Sequence, residues 1–209
     1  VLTVGKDNWS FPVPLVRVKK GWIFDTAAGK TEIINRRIGR NELAAMGIMK
    51  GYVDAQNRYF AKDWDDDGTY EYAQKIGSTE GKKDGLYWEP GPGEEKSPFG
   101  PFVAKAAQER SGAEAGKLQP YRGYYFKILK GQGKDAAGGA YDYVVKDRMI
   151  FGFGLLAYPA AYGVSGIHSF IVNQEGKVFE KNLGPATEQQ AQTIDRYNPD
   201  STWKEVKLP

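Results

Sequence analysis

The stretch Arg40-Asn41-Glu42-Leu43-Ala44-Ala45-Met46-Gly47-Ile48-Met49-Lys50-Gly51-Tyr52-Val53 decides the fold. Leu43, Met46, Met49 and Val53 recur at three-to-four spacing, Phe60 continues the stripe, and Gln56 breaks it. Ala44, Ala45, Ala55 and Ala61 add helical propensity, while Gly39, Gly47 and Gly51 weaken it. The pattern predicts one dominant helix over residues 36–62, roughly 36–40 Å long at the usual rise per residue. Its methionines read as core. Gly47 and Gly51 share a face, which permits close approach of a sheet or another helix there.

Downstream of the helix, residues 77–120 are rich in glycine, proline and charge and read as long loops, with a short helix from Pro101 to Arg110. Residues 121–184 then read as an antiparallel meander. Its strands are Tyr124–Leu129, Tyr141–Val145, Met149–Ala157 and Ile167–Val172. Asn173-Gln174-Glu175-Gly176 makes a hairpin turn into a further strand, Lys177–Leu183. Thr187-Glu188-Gln189-Gln190 has the form of a capping box for a last helix to about Arg196, and Trp203 docks the tail.

Upstream, residues 1–29 read as a separate small β meander beside the helix-and-sheet domain of residues 30–209. Its strands are Val1–Val4, Phe11–Val18 and Trp22–Phe24, with Pro12 and Pro14 holding the second to a sheet edge. The chain begins inside an apolar strand without methionine. A removed signal peptide or a larger N-terminal region is therefore expected, and with it a periplasmic or extracellular location.

Composition excludes several chemistries. The 209 residues contain no cysteine and one histidine, so disulfides, thiol nucleophiles and multi-histidine metal sites are absent from the chain. A net charge of +3 from 29 basic and 26 acidic residues is too balanced for a nucleic-acid footprint. No apolar run is long enough to span a membrane.

One motif has a chemical rationale. Asp63-Trp64-Asp65-Asp66-Asp67-Gly68-Thr69-Tyr70-Glu71 matches the opening of a calcium loop. Asp63, Asp65 and Asp67 would supply carboxylate oxygens, Gly68 the sharp turn, Thr69 a main-chain carbonyl and Glu71 the ninth-position ligand. The twelfth position is Gln74 instead of glutamate, which predicts weak affinity, on the order of 0.1–1 mM. The competing reading is a solvated acidic turn. His168 alternates with Phe170 and Val172 on an apolar face and reads as a satisfied core histidine, with Ser165 and Ser169 nearby but no nucleophile motif.

Several phrases carry a family resemblance. They are Trp22-Ile23-Phe24-Asp25-Thr26-Ala27-Ala28-Gly29, Arg37-Ile38-Gly39-Arg40-Asn41-Glu42-Leu43-Ala44, Asp84-Gly85-Leu86-Tyr87-Trp88 and Gly138-Gly139-Ala140-Tyr141-Asp142-Tyr143-Val144-Val145. With Tyr162-Gly163-Val164-Ser165-Gly166 and Phe170-Ile171-Val172-Asn173-Gln174, they resemble an exported bacterial family, domain-of-unknown-function family 2950, over roughly Trp9 to Trp203. That resemblance implies export and no assigned activity. The helix, acidic turn, Gly123-Tyr124-Tyr125-Phe126 and Tyr158-Pro159 are also similar to the globular heads of type IV pilins and pseudopilins. Those heads pack a helix on an antiparallel sheet, and some bind calcium. Here a β meander stands where the pilin transmembrane helix would be.

The sequence thus predicts an α+β fold, a long helix packed on an antiparallel sheet in the manner of a pilin head. The expected function is a non-catalytic envelope module, structural or binding, with calcium as its candidate cofactor. Its expected partner is a protein or polymer of the envelope, with self-association left open and no nucleic acid. The alternative is an enzyme acting on an envelope polymer through a groove lined by Tyr87, Trp88, Tyr121, Tyr124 and Tyr125.

Overall fold

The computed structural model describes residues 2–64, 68–100 and 119–207. The helix expected over 101–110 lies outside them. The chain opens with two separate hairpins. Strands β1 (Thr3–Val4) and β2 (Trp9–Ser10) form one, and β3 (Leu15–Val18) and β4 (Gly21–Phe24) form the other. The single three-stranded meander expected there is not formed. Pro12 and Pro14 lie between the hairpins and have no N–H to donate to a continuous ladder. The Pro14 carbonyl instead accepts the Asp25 amide at 2.8 Å, which turns the chain into the long helix.

Helix α1 spans Thr26–Phe60, 35 residues, or about 52 Å. It starts ten residues before the expected Arg36. The Asp25 carboxylate accepts the Ala28 amide at 3.0 Å and so caps the N-terminus. Thr31, Ile33 and Ile34 lower the local propensity. Once a cap and a long helix exist, however, each added turn costs only propagation. The buried stripe is Ala45, Met49, Tyr52, Ala55, Gln56 and Tyr59, rotated from the predicted one; Leu43 is exposed. The glycine face does not mediate close approach: Gly47 meets open space, and a Cβ at Gly51 would lie 3.7 Å from Phe99.

Gln56 pins the helix. Its amide nitrogen donates to the Ala73 carbonyl and to the Tyr52 hydroxyl, and its oxygen accepts the Ala73 amide, all at 2.8–2.9 Å. The Tyr52 hydroxyl in turn donates to the Gly154 carbonyl at 3.2 Å.

The main sheet has five strands, all antiparallel. They are β5 (Tyr124–Leu129), β10 (Gly154–Pro159), β11 (His168–Asn173), β12 (Val178–Asn182) and β13 (Lys204–Val206), in spatial order β13-β12-β11-β10-β5. Residues 141–145 are not part of it. They divide between two small hairpins, β6 (Gly131–Gln132) with β7 (Tyr141–Asp142), and β8 (Val144–Val145) with β9 (Arg148–Met149). Lys146 and Asp147 both take positive φ, the geometry of a two-residue hairpin turn, so the chain reverses before a longer strand can form. Gln132 holds the loop between β6 and β7 by donating to the Ala137 and Gly139 carbonyls while accepting the Tyr143 hydroxyl.

Both sheet faces are covered. Tyr124, Phe126, Leu155, Ala157, Phe170 and Val172 face α1. Leu129, Leu156, Tyr158 and Ile171 face the short helix α2 (Thr187–Thr193) and the Tyr197–Trp203 tail. Strand β10 is accordingly buried along its whole length. Trp203 docks the tail in this second layer, with the Lys181 ammonium 5.7 Å over its ring. Thr187 does not cap α2, because its hydroxyl donates to the Gly184 carbonyl; Ala186 occupies the cap position.

Candidate functional site

The N-terminal hairpins sit on the first turns of α1, ahead of the Asn41–Glu42 contact with the main sheet. Gly29 allows this: a Cβ there would meet the Val13 side chain at 2.8 Å, so the hairpin connection rests directly on the helix backbone. Arg36 ties the other side, donating to the Ser10 carbonyl and to the Glu32 carboxylate while its guanidinium lies 5.8 Å over Trp9. Phe11 packs edge-on to Trp9 and against Phe24. Together these contacts make an arm of residues 2–36.

The arm leaves its apolar side chains uncovered. Trp22 is 66% exposed, and Trp9, Ile23 and Phe24 are each about half exposed. Leu2, Val4, Leu15, Val16 and Val18 are exposed as well. Pairing of Leu15 with Phe24, Val16 with Ile23 and Arg17 with Trp22 sorts the β3–β4 leaf into two faces. Leu15, Arg17, Trp22 and Phe24 share one face, and Val16, Val18 and Ile23 the other. Between the first face, the β1–β2 hairpin and α1 lies an open groove of ≈ 980 Å³, lined by Leu2, Phe11, Pro14, Leu15, Trp22 and Arg36 among others. Mostly apolar walls with a few polar groups are usual for binding clefts.

Strand patterning alone does not mark these residues as a surface. The signal was present in Trp22-Ile23-Phe24, three consecutive large apolar residues next to Lys19-Lys20-Gly21. Such a strand is apolar on both faces, yet the flanking elements offer nothing to bury two faces.

The acidic turn follows α1 as expected. Asp63 accepts the Gly68 amide at 2.7 Å, and Gly68 has φ +84°, the left-handed geometry a sharp turn requires. Thr69 is half-buried and Glu71 lies further along the same segment. Asp65 and Asp67 fall outside the described residues, and among the described residues no three potential metal-ligating side chains converge. Lys62 pairs with Glu95 at 2.9 Å and lies 4.5 Å over the Trp64 ring.

His168 is on the expected face but is not a core residue. It opens β11 at the sheet end, half-buried, with Nδ1 3.3 Å from the Glu42 carboxylate of α1. Ser165 accepts at its carbonyl from Asn41, and its hydroxyl serves the turn at Ala161. Ser169 is buried. The five aromatic residues proposed for a polymer groove do not line one groove. Trp88 and Tyr124 belong to the core against α1, whereas Tyr125 packs on the opposite sheet face. Burial drives the Tyr124 phenol well above its ordinary value, with Glu42 and Glu180 adding to the effect, so it stays neutral and donates to the His168 carbonyl.

The family pattern described as "Protein of unknown function (DUF2950)" matches residues 1–206, nearly the whole chain. The chain belongs to the DUF2950 family. No curated protein and no solved structure matches it. Within this DUF2950 chain, two of the phrases quoted above come into contact. Asn41 and Glu42 from one grip the turn that contains Ser165 from the other.

Proposed function

We propose that this protein is a non-catalytic binding module of the bacterial envelope, with the sheet domain as scaffold and the N-terminal arm as the working surface. The observation that carries the reading is the concentration of exposed large apolar side chains on the arm around its groove. Folded chains seldom leave a contiguous apolar patch of more than a few hundred Å² unless something docks there. An extracytoplasmic location belongs to the same proposal and is supported by the absence of cysteine and by the resemblance of the quoted phrases. A pilin-head-like packing is supported by α1 lying along one face of an antiparallel sheet. Calcium, held by the acidic turn, is proposed as a stabiliser; the Asp63–Gly68 turn is its support.

Binding of an apolar fluorescent dye tests the surface. The wild-type chain should enhance dye emission, and the double variant Trp22→Ser/Phe24→Ser should lose most of that enhancement with an unchanged melting temperature. Equal enhancement by both proteins would remove the arm as the working surface.

A further inference from the structure

We propose that the arm docks on an anionic lipid surface, inserting the β3–β4 leaf at the interface; this rests on the arm being the working surface. Two observations select that occupant. The first is charge. Six of the chain's 29 basic residues and three of its 26 acidic ones lie in the arm, residues 2–36, a net +3 against 0 for the remainder, and Arg37 and Arg40 follow it directly. Lys6 lies in the turn of the first hairpin, and Lys19 and Lys20 in the turn of the second. Arg17, Lys30, Arg37 and Arg40 add to them. Among the described residues these seven form no ion pair; of the eight, only Arg36 does, with Glu32. Two copies of so cationic an arm repel one another, which disfavours self-association through it. Basic residues next to an anionic leaflet each contribute attraction that decays within a Debye length.

The second observation is that the leaf exposes large apolar side chains on both faces, with Arg17 beside Trp22 on the first. Leu15, Trp22 and Phe24 are exposed on one side, and Val16, Val18 and Ile23 on the other. A folded partner laid against the leaf covers one side only. A lipid interface covers both, and it is where tryptophan and lysine are at home together. Insertion is shallow, because the two-stranded leaf has unpaired edge N–H and C=O groups that must stay within reach of water. This is peripheral docking, consistent with the finding that no helix is long and apolar enough to cross a membrane among the described residues.

Flotation of the full chain with vesicles tests the proposal. The probes are phosphatidylcholine vesicles and the same vesicles with about 30 mol% phosphatidylglycerol, each at roughly 0.1 M and about 0.5 M salt. The expected result is partitioning into the anionic vesicles at least ~10-fold above the zwitterionic ones, lost at the higher salt. Trp22→Ser/Phe24→Ser and Lys19→Glu/Lys20→Glu should each weaken it by about tenfold or more. All four positions are exposed on the arm, outside both cores, and circular dichroism verifies that each variant keeps its fold. Partitioning that is absent, or that the arm variants do not change, overturns lipid docking. Sedimentation without lipid separates the two readings. Self-association abolished by the arm variants overturns lipid docking in favour of a second copy and leaves the arm as the working surface. Arm variants that alter neither vesicle binding nor dye binding overturn both.

Discussion

Glu42 of α1 and His168 of β11, 126 residues apart, are joined through one carboxylate oxygen. Glu42 Oε1 accepts the Ile167 and His168 amides, each at 2.9 Å, and lies 3.3 Å from His168 Nδ1. Asn41 adds a donation to the Ser165 carbonyl at 2.8 Å. A short polar clamp thus fixes the middle of the long helix to the turn that opens the central sheet.

Removing the clamp has a defined cost. Glu42→Ala strands two amide donors in a half-buried site, which costs about 2–3 kcal/mol. For a chain of this length that lowers the melting temperature by roughly 5–10 °C. Glu42→Gln keeps the accepting oxygen and should recover most of the loss. A thermal melt of both variants checks this, and an Ala variant that melts with the wild type would show that the amides find other partners.

Gln56 makes a sharper case, being fully buried. Gln56→Leu leaves the Ala73 amide and carbonyl without their partner and releases Tyr52 from one side. The expected loss is about 3 kcal/mol, read as a lower urea midpoint with an unchanged slope. A substitution that helical periodicity alone would favour should therefore be among the most damaging in α1.

Acid sensitivity should centre on Asp84. Its burial alone would raise the carboxyl, but donation from Lys75 and from the Thr79 amide and hydroxyl outweighs this and holds it below the ordinary value of 3.8. A carboxyl depressed by folding stabilises the protein at all pH above its unfolded value, and that stabilisation is lost as pH falls through the folded one. Asp84→Asn should melt below the wild type at pH 5–7, and the gap should close on acidification below about 3.8. A gap independent of pH would mean that the contribution is not ionic.

The alkaline limb runs the other way. Burial raises the phenols of Tyr124, Tyr143 and Tyr197, and pushes Tyr158 up to about 12. Their stabilisation is complete below the ordinary value of 10 and is lost as pH rises through the folded values. Burial raises the Tyr72 phenol as well, so absorbance titration should show these five of the 13 tyrosines ionising late or together with unfolding.

Calcium at ten times its dissociation constant should stabilise the protein by about 1.4 kcal/mol, a rise of a few degrees in the melt. Asp65→Ala and Asp67→Ala should abolish that rise. An unchanged melt at about 10 mM calcium would leave a solvated acidic turn.

The α+β class, the long helix and most strands of the sheet could be read from periodicity, because apolar spacing reports directly on the face that is buried. Three features could not. The start of α1 depended on Asp25, a single capping residue ahead of a stretch with weak propensity. Gln56 looked like a break in the stripe because a pattern of apolar residues has no means of scoring a buried amide that satisfies a facing backbone. The second layer rested on the tail, and β10 shows why. Gly154–Pro159 is apolar on both faces, which calls for two covers, whereas the helix supplies one. The candidate site was less legible still. The acidic turn was identifiable by its spacing, but the arm's large side chains, Trp9, Trp22, Ile23 and Phe24, are of types that suggest burial, and only the three-dimensional arrangement reveals how far they are exposed.

Helix α1 is one continuous rod with two environments. Its C-terminal half is held between the sheet and the 72–99 loops, and among the described residues its N-terminal half carries the two hairpins. Amide exchange should therefore be graded along it, with residues around Met49–Tyr59 opening only when the whole molecule unfolds and those around Thr26–Arg36 opening locally. The arm can rearrange at low energetic cost while the far end of the same rod stays locked, so a conformational change at the working surface need not disturb the scaffold that presents it.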